Sequence, residues 1–232
     1  MTETLALGDL AFTVRRSTRR TTLGITLDRD GTLVLSAPVD CSLDDIAETA
    51  HRKLLWVYTK LAERELLRRP VRPKEFVTGE GFGYLGRSYR LLLVDGTPAE
   101  PPLRLYQGRF LLRRDAAPCG QQHMTRWYVA HGQPWIARRV TLYAARIGVT
   151  PRCVEVKELG YRWGSCSPTG HMHFHWRTLA LPPRIIDYVV VHELVHLAVP
   201  HHGASFWKRV ELAMPDYAGR KRWLDEQGGE YA

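Results

Sequence analysis

The sequence predicts an α+β fold, and three observations carry that prediction. The first part of the chain, residues 1–120, is dominated by short β-branched and aliphatic runs broken by turn residues, with room for one long helix. From about Gln121 the apolar residues take up helical spacing. A later stretch is apolar nearly all round, from Ile185 to Val191, yet ends in His192, Glu193 and His196. Such a helix is buried, and polar groups buried on it need partners, because desolvating one unpaired costs roughly 2–7 kcal/mol. The expected architecture is a β-rich N-terminal region, 1–120, packed on a C-terminal region, 121–232, of antiparallel sheet and several helices. No flexible linker separates the two, so a shared interface is expected.

In chain order, residues 21–27 and 32–36 read as strands joined by Asp28-Arg29-Asp30-Gly31, a hairpin signal. The arginine-rich stretch 15–20 before them reads as a solvated edge strand, with phosphate contact as the functional alternative. Ser42 and Asp45 have capping-box spacing. Leu54, Tyr58 and Leu61 extend a helical repeat to about Leu67, and Pro70 and Pro73 stop it. Residues 79–86 are glycine-rich without the spacing of a nucleotide-binding loop, and read as turns between strands. Further strands are expected at 89–94 and 103–112, then a helix over 135–147 closed by Gly148. Strands follow at 154–158, 161–166 and 171–177, the last two separated by a turn at 167–170. Pro182-Pro183 suits the first turn of the next helix, and Asp187 near that end suits its dipole.

Composition narrows the function classes. A net charge of +9 favours acidic partners and leaves a weak nucleic-acid contact open, although the arginines are dispersed rather than gathered into a stripe. The 4 cysteines form no C-x-x-C pair, which argues against a cysteine zinc site or a redox motif and for reduced thiols. No apolar run reaches the roughly 18 residues needed to span a bilayer, and residues 1–10 lack the order of a signal peptide. A cytoplasmic protein without membrane partners is the expectation; oligomeric state is not legible.

The chemistry concentrates in His192-Glu193-Leu194-Val195-His196. On a helix, positions i and i+4 share one face, so His192 and His196 can aim at one point while Glu193 stands beside it. This H-E-x-x-H pattern suits two zinc-binding imidazoles and a glutamate acting on a metal-bound water. Pro200 breaks the helix, so the chain can turn back and bring His202 within reach of the same ion. Catalytic zinc takes three protein ligands and keeps one position open. His201 is an adjacent candidate for the third position, and Glu211 or Asp216 a carboxylate one; His202 is preferred. Elsewhere, His171, His173 and His175 alternate along a strand and share a face. They read as lining a groove, with a second metal site as the alternative. Cys166 reads as a buried structural thiol.

Several blocks in order resemble the YgjP-like metallopeptidase family, a group related to the SprT-like and WLM zinc peptidases. They are Arg162-Trp163-Gly164-Ser165-Cys166-Ser167, Trp176-Arg177, the run from Ile186 to Leu197, His202, and Phe206-Trp207. The first half agrees: the arginines before Thr21, Ala37-Pro38, the helix containing Trp56, Gly79, Tyr84-Leu85-Gly86 and Tyr89. The resemblance implies a zincin-like catalytic region with His192, His196 and His202 as Zn2+ ligands, Glu193 as acid/base, and a protein or peptide as substrate. It supports His202 over His201, because the family's third histidine stands four residues before the phenylalanine of the Phe-Trp pair. Two departures stand out. The family commonly has Asn where this chain has His175, and Val199 stands where metzincins have glycine.

The expected function is therefore zinc-dependent peptide hydrolysis with Glu193 as general base. Metal-dependent hydrolysis of a nucleoside triphosphate is an alternative, kept by Arg162 and Arg177 near the cleft. A non-catalytic zinc-containing module that binds nucleic acid is a second; a structural site of that kind is normally closed by four ligands.

Overall fold

The computed structural model describes residues 3–27, 32–67, 74–159 and 162–231. The chain divides into two compact units, 1–68 and 69–232.

In the first unit, β1 (Glu3–Leu7), β2 (Leu10–Ser17), β3 (Gly24–Leu27) and β4 (Leu33–Pro38) form one sheet in the order β1-β2-β4-β3. β2 and β4 are parallel and the other pairs antiparallel. Alternate residues Phe12 and Val14 of β2, and Leu33 and Leu35 of β4, point into the core. There they meet Ile46 and Ala50, one turn apart on α1 (Leu43–Arg52). The antiparallel β3–β4 pair agrees with the expected hairpin, whose turn at 28–31 lies outside the described residues.

One expectation is kept and one corrected in this unit. β2 lies between β1 and β4, but β1 pairs only with Leu10–Val14, so Arg15–Ser17 are paired on one side, with β4, and Arg15 is exposed as expected of a solvated edge. Arg16 donates to Glu3 Oε2 at 2.9 Å and to the Cys41 carbonyl at 2.5 Å, so this guanidinium ties the sheet together internally. The single long helix is two helices, α1 and α2 (Leu54–Leu67). Lys53 N–H bonds back to the Ala50 carbonyl at 3.0 Å, a tightened last turn that interrupts the repeat. The cap is as expected, with the Ser42 hydroxyl accepting from Asp45 N–H at 3.1 Å. Pro70 and Pro73 lie outside the described residues.

The second unit contains two sheets. β5 (Gly81–Tyr84), β6 (Arg87–Val94), β7 (Leu103–Tyr106) and β8 (Arg109–Arg113) are ordered β5-β6-β8-β7. The run expected as one strand over 103–112 is a hairpin, turned at Gln107 and Gly108 with φ of 47° and 75°. Two positive φ values are the geometry of the tight hairpin turn.

β9 (Cys153–Lys157), β10 (Gly164–Cys166) and β11 (His171–His175) form the other sheet, ordered β10-β11-β9. The expected antiparallel arrangement holds only for β10–β11; β11 and β9 run parallel. The chain leaves β9, passes over the middle position to lay down β10 outside, and returns through a hairpin. The third strand then fills the gap in the direction of the first. Tyr161, the expected start of the second strand, lies outside the described residues. The strand expected over 171–177 ends at His175, whose ring Nδ1 accepts from Arg177 N–H at 3.0 Å and caps a 3-10 turn over Trp176–Ala180.

Helix α3 (Gly120–Ile147) begins well before the expected residue 135 and runs through Pro134 to a left-handed C-cap at Gly148. Gln133 pins it to β9, bonding the Val154 carbonyl at 2.7 Å and Val156 N–H at 2.8 Å. Next come α4 (Pro183–Val195), α5 (Ala204–Ala213) and α6 (Tyr217–Gln227). Asp187 does not serve the α4 dipole. It is buried and held by the Arg139 guanidinium of α3 at 2.6 and 2.5 Å and by the Tyr143 hydroxyl at 3.1 Å.

One core unites this unit. Phe82, Leu91, Phe110 and Leu112 of the four-stranded sheet pack with Trp127, Tyr128 and Ile136 of α3 and with Ile186, Val190 and Leu194 of α4. The compact division thus falls near residue 68 and not at residue 120, where composition changes. No described helix is long and apolar enough to cross a membrane.

Candidate metal centre

Helix α4 is buried along almost its whole length, which fixes its rotation and presents His192 and His196 together at its C-terminal end. Beyond it the chain tightens, with Ala198 N–H bonded to the Val195 carbonyl at 3.0 Å, then reverses. Gly203 N–H bonds the His201 carbonyl at 2.8 Å and α5 starts at Ala204. This reversal brings His202 back over the helix end. Ligand atoms of His192, His196 and His202 all lie within 4.8 Å of one another, and Nε2 of His202 is 2.9 Å from Nε2 of His192.

Phe206 forms the floor. It is fully buried, with its ring centre 5.0, 4.6 and 4.7 Å from those of His192, His196 and His202. Trp207 stacks on His202 at 5.8 Å and 28°. Among the described residues no other group of three His, Cys, Asp or Glu side chains converges in this way. The alternatives fall away from the triad. His201 lies outside it, as does Glu211 on α5, and Asp216 accepts from Arg220 at 2.9 Å.

Residues 21–227 match the YgjP-like, metallopeptidase domain family. The chain belongs to the YgjP-like metallopeptidase family. At that level it is a hydrolase acting on protein or peptide with the help of a divalent metal ion. Among solved structures, the crystal structure of the metallopeptidase zymogen of Pyrococcus abyssi abylysin is similar at 22% identity and a TM-score of 0.36, over 40% of this chain and 95% of that one. No curated protein matches.

The electrostatics of the YgjP-like site suit a cation. Burial pushes the His192 imidazole down to about 3, helped by His196, His202 and Lys221. His196 and His202 are also lowered, chiefly by burial. All three rings are thus neutral near pH 7, with lone pairs available. A neutral imidazole has a single N–H. The Nε2 atoms of His192 and His202 lie 2.9 Å apart, near enough to face one cation, and His192 Nδ1 is buried without a hydrogen-bond partner. The donor set, three uncharged nitrogens, fits a divalent transition ion better than calcium or magnesium.

Glu193 is 8% exposed, and burial raises its carboxyl to about 7, against a lowering influence of Arg162. Gly164 of β10 lies directly against it: a Cβ there would meet Glu193 Cγ at 2.8 Å. An isolated glycine within a strand signals such a close backbone approach, and the Gly164-Ser165-Cys166 run carried that signal. In the sequence, Phe206 and Trp207 are marked only by the family resemblance, because their contacts with the histidines are made by folding.

The remaining candidates have other roles. Cys166 is raised to about 11, by burial and then by the charge of Glu193, so it stays a protonated thiol. The three strand histidines do not assemble a second cluster among the described residues. His175 is buried, its Nε2 2.6 Å from Glu158 Oε1, and Trp176 Nε1 donates to Glu158 Oε2 at 2.7 Å. His173 lies 3.5 Å from Glu155 and is lowered, mainly by burial. Arg177 stacks over the Trp176 ring at 5.0 Å.

Proposed function

We propose that this YgjP-like domain is a zinc-dependent peptidase of zincin-like layout, with His192, His196 and His202 as ligands and Glu193 as general base. The convergence of three neutral imidazoles beside one buried carboxylate carries the reading. A zinc ion held there would lower the pKa of a bound water to about 7 and polarise the scissile carbonyl. The protein's own residues do the rest. Glu193 accepts the proton of the attacking water as the carbonyl carbon is approached, then returns it to the departing nitrogen. Its burial in the metal-free chain raises its proton affinity above that of an exposed carboxylate, the direction a general base needs. Phe206 closes the apolar side of the triad and keeps bulk water from that face.

The substrate is best read as an extended peptide lying along β10. That strand is the outer one of its sheet, and its Gly164 backbone touches Glu193. Adding a strand at such an edge supplies backbone hydrogen bonds without demanding particular side chains.

A closed structural zinc site usually has four protein ligands, whereas three side chains converge here among the described residues. The test is to load the full chain with zinc and offer unstructured protein, a peptide library and nucleoside triphosphates in parallel. Cleavage confined to peptide bonds is the expected result. Turnover of nucleotides and never of peptides would overturn the reading.

A further inference from the structure

A second feature adjoins the triad. A cavity of about 420 Å³ is lined by Trp207 of α5 and by Tyr217, Ala218, Lys221, Arg222 and Asp225 of α6. This is the size of a site for a small ligand or a large side chain. Helical spacing explains the lining. Tyr217, Lys221 and Asp225 are successive i, i+4 neighbours on one stripe, and Ala218 and Arg222 form the stripe beside it.

Trp207 links the cavity to the metal centre. Its indole stacks on His202 at 5.8 Å and 28°, and on Tyr217 at 5.7 Å and 17°. The stack runs from a triad histidine through the cavity wall. Trp207 is therefore a wall shared by the cavity and the triad.

The charges in the cavity are unequal. Lys221 Nζ is bonded to Asp225 Oδ2 at 2.7 Å, so that lysine and that carboxylate largely satisfy each other. Arg222 is exposed and brings a second positive charge to the same opening, against the one carboxylate of Asp225 among the lining residues. Trp207 is stacked with His202 and Tyr217, so it offers the cavity its rim, and an aromatic rim with a guanidinium at its mouth suits a ligand with a short apolar stem and a carboxylate tip. Arg pairs with carboxylates through two parallel hydrogen bonds, which gives direction as well as attraction.

We infer that this cavity is a substrate-selecting pocket that takes a carboxylate-bearing residue of the peptide, stem along the rim of the Trp207–Tyr217 stack and carboxylate on Arg222. The inference rests on the peptidase reading and adds the substrate class to it. The carboxylate can come from a Glu or Asp side chain or from the free end of the chain.

Binding separates the pocket from the chemistry. Fluorescence anisotropy of labelled peptides would be followed on zinc-loaded Glu193→Gln protein, which retains the peptide uncut. The arms carry Glu, its amide counterpart Gln, or Lys at each position in turn, with free or amidated C-termini. Carboxylate peptides should bind about fivefold more tightly than their amide counterparts, the ceiling for one exposed charge pair. A gain from internal Glu identifies a side-chain pocket, and a gain from the free terminus alone identifies a terminus pocket. Arg222→Gln should erase the preference, and Arg222→Glu should invert it toward Lys, a reversal that mere misfolding would not produce. Equal binding of carboxylate and amide peptides would overturn the inference, as would a preference unchanged in both Arg222 variants. Cleavage of the Gln peptide by the zinc-loaded wild type reports on the peptidase reading separately.

Discussion

Gly164 and Glu193 stand in contact, with an added Cβ at position 164 falling 2.8 Å from Glu193 Cγ and 3.0 Å from its Oε1. Gly164→Ala therefore pushes the carboxylate out of place without touching a histidine. Metal content should be unchanged, while kcat/KM for peptide falls by about a hundredfold, the scale of a 1 Å misplacement at a reacting centre. Parallel metal analysis and kinetics check this. Full activity would mean that the carboxylate position does not matter.

The two adjacent histidines are expected to behave differently. His202 converges with His192 and His196, and His201 does not. His201→Ala should keep about one metal ion per chain after dialysis, and His202→Ala should keep close to none, as for a site reduced to two ligands. Elemental analysis of both variants decides between them.

The Asp187 carboxylate is buried against Arg139. Arg139→Met leaves that charge with the Tyr143 hydroxyl alone and should destabilise the fold by about 2–3 kcal/mol, less than a fully buried pair because Arg139 is partly exposed. Pairing it with Asp187→Leu should recover most of the loss. Urea unfolding of the single and double variants measures both effects.

Tyr128 is buried and donates to the Gly83 carbonyl, and burial raises its phenol above the ordinary value of 10. The unfolded chain ionises this group at about 10, while the folded chain resists. Its contribution is therefore fully present below that pH and is lost as pH rises toward the folded value, at about 1.4 kcal/mol per unit. Tyr128→Phe should lower stability near neutrality by about 1 kcal/mol, for the hydrogen bond left unmade. It should also flatten the alkaline decline relative to wild type. Chemical denaturation across a pH series reads both.

The candidate site was legible because its signal is local. His192, Glu193 and His196 are placed by helical periodicity alone, and Pro200 marks the turn that returns His202. What escaped was long-range. Nothing near 153–157 or 171–175 announces a parallel pair, because the order β10-β11-β9 is set by where a connection crosses. Leu10, Phe12 and Val14 alternate into the core just before the arginines, a strand that the charge of residues 15–20 kept out of the sequence-based assignment. Asp187 read as a dipole partner because Arg139 lies 48 residues away in sequence. The division near residue 68 was hidden for a related reason: β5 to β8 resemble the first sheet in composition, but bury their apolar faces with α3 and α4.

The most direct measurement is metal content and peptide hydrolysis determined together on zinc-loaded Glu193→Gln. The substitution keeps size and shape and removes the proton acceptor. The expected result is about one zinc per chain, as in wild type, with the hydrolysis rate down by a factor of about 10²–10⁴. Wild-type turnover in a variant with its full complement of zinc would contradict the assignment of Glu193 as the base.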